Sequence, residues 1–369
     1  MFWPTVDLGM RDGQLIDAER RRGRGALSNA NGRFERHDHI DADDGWGTLA
    51  TLDRFATQTQ IEQARSIISH NDSPDLSFDQ SINPYRGCEH GCIYCYARPT
   101  HAFLGHSPGL DFETKLYAKT NAAELLETEL ARPGYEPKTI ALGAVTDPYQ
   151  PIERTYSISR QILDVLDRTS HPVCIVTKSA LVVRDIDILQ RLAQRNLVRV
   201  ALSVTTLDRG VARAMEPRAA TPGRRLDAIR QLTDAGVPTT VMSAPIIPGL
   251  TDHEIEAILT AGRDAGASSA SYVLLRLPLE LKALFREWLQ ENFPDRANRV
   301  INLLQSMHGG VDYRAEFGLR QRGSGPFAEL IGQRFRKALK RLRLNERHLR
   351  MPTDLFQPPA RAGDQLKLL

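Results

Sequence analysis

The sequence predicts an α/β protein built on parallel strands, and three observations predict it. Six short runs of β-branched and apolar residues recur along the middle of the chain. Between each run and the next lies a segment with apolar residues at the three-and-four spacing of a helix. With 369 residues and 41% apolar content, the chain can bury one large core. Strands and helices alternating in this way argue for parallel strands joined by right-handed crossovers.

The elements follow in order. Residues 1 to about 50 are rich in Arg, Asp, Gly and Asn, as in "ERRRGRGALSNANGRFERHDHIDADDGWG", and lack an apolar period, so a loosely draped, partly disordered segment is expected. In "LDRFATQTQIEQARSIISHN", Leu52, Phe55, Ile61, Ala64, Ile67 and Ile68 pass from irregular to helix-like spacing, which predicts a short helix leading into the core. "LSFDQSIN" (76–83) reads as the first strand, followed by "TIALGAV" (139–145), "VCIVTK" (173–178), "VRVALSV" (198–204), "TTVMSAPI" (239–246) and "ASYVLL" (270–275). The intervening helices are "NAAELLETELAR", "SISRQILDVLDRTS", "RDIDILQRLAQRN", "GRRLDAIRQLTDAG" and "DHEIEAILTAGRDAG". About six strand–helix units are too few for a closed eight-unit barrel, which leaves an open, partial barrel or a doubly wound sheet. In both, the chemistry belongs at the carboxyl ends of the strands. The chain thus divides into an N-terminal extension (1–70), an α/β core (71–285) and a mostly helical, basic C-terminal region (286–369).

Composition narrows the setting. No apolar run approaches the roughly 20 residues a membrane helix needs, and the start "MFWPTVDLGMRDGQ" lacks the apolar stretch of a secretory signal, so a cytoplasmic protein with no membrane partner is expected. Four cysteines are too few for a disulfide framework in a chain of this length, which leaves the thiols for metal or catalysis.

Three of those cysteines stand within eight positions. In "NPYRGCEHGCIYCYARP" (83–99), Cys88, Cys92 and Cys95 form C-x3-C-x2-C at the end of the first strand. Zinc would need a fourth ligand, and His90, His101 and His106 keep a Cys3His site open as an alternative. The fourth thiol, Cys174, lies in mid-strand and reads as a small core residue. A [4Fe-4S] cube held by three thiolates leaves one iron without a protein ligand, free to chelate a substrate or cofactor.

A loop of this spacing after a first strand, with five further strand–helix units behind it, resembles the radical S-adenosylmethionine (SAM) superfamily. The resemblance implies a partial (β/α)6 radical SAM barrel and a [4Fe-4S] cluster on Cys88, Cys92 and Cys95 whose open iron binds the amino and carboxylate groups of SAM. It implies reductive cleavage to a 5'-deoxyadenosyl radical that abstracts hydrogen from substrate, with an external one-electron reductant of flavodoxin or ferredoxin type as partner. Tyr94 falls where the family places an aromatic against the adenine.

"VTK" (176–178), "ALSVTT" (201–206), "MEPRAATPGRRLDAI" (215–229) and "AGVPTTVMSAPIIPG" (235–249) resemble the spore photoproduct lyase branch. That resemblance implies that Lys178 and Ser203 contact the SAM carboxylate and that Thr146 and Asp147 stand near its amino group. Asp147, before Pro148, can equally set a turn. Glu216, Pro217 and Arg225 match the branch's Glu-Pro…Arg pattern, as a pair lining the pocket or bridging the fourth crossover. One departure stands out: the branch carries a hydrogen-donating cysteine near the end of the second strand, where this chain has Ala144. Tyr96, Tyr149 and Tyr156 are the alternative donors, each also readable as a packing aromatic. Over nearly the full length, "RGRGA", "SINPYRGCEHGCIYCYARPTHA", "GLDFETK" and a tail ending "GDQLKLL" resemble an uncharacterised subgroup of that branch.

Charge suggests a further partner. Arg314 to Arg350 holds 11 Lys or Arg against 3 Asp or Glu. Within it, "GQRFRKALKRLRLNERHL" sets Phe335, Leu339, Leu342 and Leu349 on one side of a helix and Arg334, Lys337, Lys340 and Arg341 on others. With "RQRGSGP" (320–326) and "RRRGRG" (20–25), this makes nucleic acid a candidate partner, although a solvated basic face explains the helix as well. A non-catalytic zinc- or nucleic-acid-binding protein and an electron carrier are the competing functional classes.

Overall fold

All six expected strands form in a computed structural model that describes residues 15–35, 53–346 and 350–359. They are β1 (Gln80–Ile82), β2 (Ile140–Leu142), β3 (Val173–Thr177), β4 (Val198–Ser203), β5 (Thr239–Ile246) and β6 (Ser269–Leu274). Each pairs in parallel with the next, so spatial order follows chain order from β1 to β6. A doubly wound sheet would reverse its order at a switch point. This one does not, and the partial (β/α)6 barrel is the arrangement adopted.

Five helices make the crossovers: α1 (Ala122–Leu130), α2 (Ile158–Arg168), α3 (Ile186–Gln194), α4 (Pro222–Asp234) and α5 (Ile255–Asp264). Their apolar stripes are the ones visible in the sequence. α2 buries Ile158, Ile162, Leu163, Val165 and Leu166, each such burial contributing roughly 1.5–3 kcal/mol. α4 opens with Pro222 in its first turn, where a missing N–H costs no hydrogen bond. Three more helices follow the barrel: α6 (Leu281–Asn292), α7 (Pro294–Met307) and α8 (Gly325–Leu342). α8 buries Ala328, Ile331, Phe335 and Ala338, leaves Leu339 and Leu342 half-buried, and exposes Lys337, Lys340 and Arg341. Arg334 turns back to pair with Glu256 of α5 at 2.5 Å. Among the described residues no helix is long and apolar enough to cross a membrane.

Two expectations fail in the N-terminal region. Instead of a helix, the stretch after residue 52 forms strands at Gln58–Ile61 and Ile68–His70. The first runs parallel to Lys115–Ala118, which also pairs with Tyr85–Arg86 in a small three-stranded sheet; the second adds antiparallel to β1. Non-local pairing here overrides a weak helical spacing. Residues 15–35 are not loosely draped: Arg24, Gly25, Ala26, Leu27 and Ser28 are buried against the loops of the barrel. Leu52, Leu349 and the tail "GDQLKLL" lie outside the described residues.

Candidate functional site

The cysteine loop leaves the carboxyl end of β1 through two left-handed turns, at Gly87 (φ +70) and Gly91 (φ +68). A Cβ at Gly87 would meet Phe112 O at 2.9 Å, so the backbone passes only without one. Cys88 N donates to Phe112 O, Cys95 N to Cys92 O and Ile93 N to Met215 O, so the loop is held from both sides. Cys88 and Cys92 are buried and Cys95 is half-buried, all three as free thiols. Burial pushes each thiol upward, and at Cys88 the neighbouring charges of Asp147, Cys92 and Cys95 push the same way.

The sequence-predicted residues gather around this loop from the ends of β2, β3 and β4. Lys178 follows β3, with its ammonium 5.6 Å from the centre of the Tyr94 ring. Burial lowers its pKa, while the nearby Cys92 works in the opposite direction. Its sole hydrogen-bond acceptor among the described residues is Ala244 O, at 3.5 Å. Ser203 ends β4, buried, and its carbonyl accepts from Arg225 Nη1 at 2.9 Å.

Thr146 and Asp147 reach the same end but are engaged by the protein itself. Thr146 Oγ1 donates to Tyr85 O at 2.9 Å. Asp147 Oδ1 accepts from Tyr149 N and Thr177 Oγ1, while Oδ2 accepts from Lys178 N at 2.7 Å and lies 3.3 Å from His90 Nδ1. Burial alone would raise this carboxyl; His90 and the donated hydrogen bonds hold it at about 2. Both oxygens are thus committed. Asp147 sets its turn and ties β2 to β3.

Of the two alternatives for Glu216 and Arg225, the bridge across the fourth crossover is the one that forms. They form an ion pair almost fully removed from water, in which Glu216 also accepts from Tyr94 OH and from Thr205 Oγ1. Arg225 spans to Ala220 O and Ser203 O, bridging the fourth crossover. Both residues also line a cavity of about 440 Å³ together with Arg209, Arg213 and Pro217, a separate space whose lining includes neither the loop cysteines nor Lys178. The hydroxyl end of Tyr94 is thereby fixed.

Of the three tyrosines, Tyr96 alone is exposed: its OH donates to Ala144 O, and the guanidinium of Arg276, just past β6, lies 4.1 Å from its ring centre. Tyr149 is buried, donating to Asp185 Oδ2, and Tyr156 ends a short helix, Glu153–Tyr156. Cys174 is half-buried within β3, where it pairs with Ala141 and Arg199.

The zinc alternative does not fit this geometry. Among the described residues no three His, Cys, Asp or Glu side chains converge on one metal ion. His101 Nε2 is bonded to Lys115 O and His106 Nε2 to Tyr117 OH, and His90 faces Asp147.

Two residues of the loop's support escaped the sequence reading. Arg98 and Glu113, both fully buried, pair at 2.5 Å beneath the loop, and Glu113 also accepts from the amides of Gly25 and Ala26. The visible signals were the Arg-Gly alternation of "RGRGA" and the acidic residue in "GLDFETK", but nothing in the sequence says that they meet.

The Radical SAM superfamily profile matches residues 82–261. The uncharacterized protein Rv2578c of Mycobacterium tuberculosis is 38% identical over 230 residues, covering 62% of this chain and 68% of that one. A radical SAM Nα-GlyT isomerase of Pseudomonas phage M6 is 26% identical over 48% of this chain and 35% of its own length. Spore photoproduct lyase complexed with dinucleoside spore photoproduct shares the fold, with a TM-score of 0.55 at 15% identity over 77% of this chain and 79% of that one. The chain therefore belongs to the radical SAM superfamily of enzymes, which use a [4Fe-4S] cluster and S-adenosylmethionine and draw on an external reductant.

Proposed function

We propose that Cys88, Cys92 and Cys95 hold the [4Fe-4S] cluster and that SAM lies along the ends of β3 and β4, for hydrogen-atom abstraction from a nucleic-acid substrate. Held by these three thiolates and reduced by an external one-electron donor, the cluster would supply one electron to the sulfonium of SAM, whose S–C5' bond would then break into methionine and a 5'-deoxyadenosyl radical able to abstract hydrogen.

The observation that carries the reading is Lys178. An ammonium with three N–H donors and one distant carbonyl acceptor, in the field of Cys92, Arg225, Asp147 and Cys95, is arranged to receive an anion. The SAM carboxylate is that anion, with Ser203 as its second partner and the Tyr94 ring against the adenine. Thr146 and Asp147 act from behind: the carboxylate fixes Lys178 through its backbone N–H. The electron donor in this reading is a flavodoxin- or ferredoxin-type protein. Arg276 at the exposed ring of Tyr96 and the open basic face of α8 support an anionic substrate. Ala144 in place of a thiol argues against a reaction that takes its returning hydrogen from a cysteine there.

Anaerobic protein is expected to be brown, with about four irons and four sulfides per chain. Dithionite and SAM should then yield 5'-deoxyadenosine, faster with DNA or RNA than with a metabolite pool. Serine at any one of Cys88, Cys92 or Cys95 removes both colour and cleavage, and retained cleavage refutes the ligand assignment. Lys178→Met keeps the cluster spectrum but weakens the SAM-induced spectral change by roughly ten- to a hundredfold in concentration, as losing a charge-assisted hydrogen bond should.

A further inference from the structure

We infer that Glu113 is a positioning residue for the cysteine loop, fastening Arg98 and the Arg24–Ala26 backbone to the stretch between Cys88 and Cys92. The inference rests on reading that loop as the cluster site.

Arg98 spends its donors on the loop and its return. Nε donates to Cys92 O at 2.9 Å and Nη2 to Gly91 O at 3.2 Å, while Nη1 reaches Pro108 O and Gly109 O. A planar, five-donor fork can bind these carbonyls together; a lysine cannot. Its charge is met by Glu113 Oε1, which also accepts from Ala26 N at 2.8 Å, while Oε2 accepts from Gly25 N at 2.9 Å. Burying such a pair costs desolvation of both ions, so it is weak evidence for stability, and its value here is geometric.

The approach of the N-terminal segment is close enough to require glycine. A Cβ on Gly25 would lie 1.8 Å from Gly91 O, and one on Gly91 would lie 2.6 Å from Glu113 Oε2. Arg24 extends the clamp, donating to Glu113 O, Phe55 O and Thr57 Oγ1; Thr57 in turn donates to Glu89 Oε1 inside the cysteine loop. The segment therefore grips the loop at Gly91 and at Glu89, on either side of His90.

Coupling between two such sites is reciprocal. In full-length wild-type protein, reconstitution with iron and sulfide should slow deuterium exchange at the Gly25 and Ala26 amides by about tenfold or more. Glu113→Gln should lower the iron retained after desalting. It should also move the cluster midpoint potential in the positive direction, because removing a negative charge beside Arg98 favours the added electron. Gly25→Ala, which changes no charge, should lower iron retention as well. Exchange that is indifferent to reconstitution overturns the inference, as does a folded Glu113→Gln protein with wild-type iron content and potential. Should Glu113→Gln fail to fold, the wild-type exchange measurement decides alone. If wild-type protein takes up no cluster, the cluster reading itself fails and the inference falls with it.

Discussion

Helix α4 carries two arginines five residues apart in two unlike regions of the molecule. Arg225 faces the carboxyl ends of the strands, where its pair with Glu216 is 1% exposed on each side. Arg230 faces outward, and its pair with Asp227 is more than half exposed. The same contrast holds across the chain: Arg98–Glu113 is fully buried beside the cysteine loop, whereas Arg168–Glu127 stands open on the outer helices. Charge at the strand ends is enclosed, shared among backbone carbonyls and ring hydroxyls, and used to fix atoms in place. On the outside it decorates a surface.

The comparison breaks or holds first on Arg225→Ala. Removing this side chain strands the Glu216 carboxylate in the interior and releases Ser203 O and Ala220 O. The expected loss is about 3–5 kcal/mol, read as a fall in the urea midpoint with the slope unchanged. Tyr94, held through Glu216, should loosen with it, weakening the SAM response of whatever protein still folds. A loss below about 1 kcal/mol would place this buried pair with the surface ones.

Acid tests the enclosed groups by another route. Burial lowers His101 and His171 to about 4, so each is neutral in the folded protein at pH values where the unfolded chain already carries a proton. The unfolded state binds more protons between pH 6.5 and 4, so stability must fall as pH drops through that window. Each histidine contributes up to about 3 kcal/mol of that fall. His171 is bonded to Tyr135 OH at 2.8 Å, far along the chain from the cysteine loop. His171→Gln should therefore flatten the pH dependence of the unfolding midpoint over this range, and an unchanged slope would mean that His171 does not stay neutral in the fold.

Much of the enclosed architecture was legible in advance because it depends on local pattern. The barrel strands and crossover helices follow from apolar periodicity and Cys88, Cys92 and Cys95 stand out by spacing, whereas Lys178 and Ser203 are singled out only by the resemblance to the spore photoproduct lyase branch. What stayed hidden depends on meetings between distant segments. Gln58–Ile61 is a mostly exposed four-residue strand with no apolar alternation, and only its partner Lys115–Ala118 makes it a strand. Gly25 looked like part of a polar tail because its neighbour Gly91 is 66 positions away and contributes a carbonyl rather than a side chain. Asp147 can be read as a turn residue from its place before Pro148, but its bonds to Thr177 and Lys178 require the β2–β3 register to be known.

The smallest expected effect is also the one that makes the largest interpretable. Arg230→Ala repeats the Arg225 substitution on the same helix, one turn and a half further along, where Arg230 Nη1 lies 3.0 Å from Asp227 Oδ1 at i,i+3. Such a pair contributes roughly 0.2–0.5 kcal/mol to a helix and is screened by salt. Alanine's slightly better helix propensity offsets part of that loss. The urea midpoint should move by less than about 0.5 kcal/mol, and less still in high salt. A larger shift would mean that α4 is sensitive to any loss of charge along its length, and the cost of Arg225→Ala could then no longer be assigned to an enclosed carboxylate left without its cation.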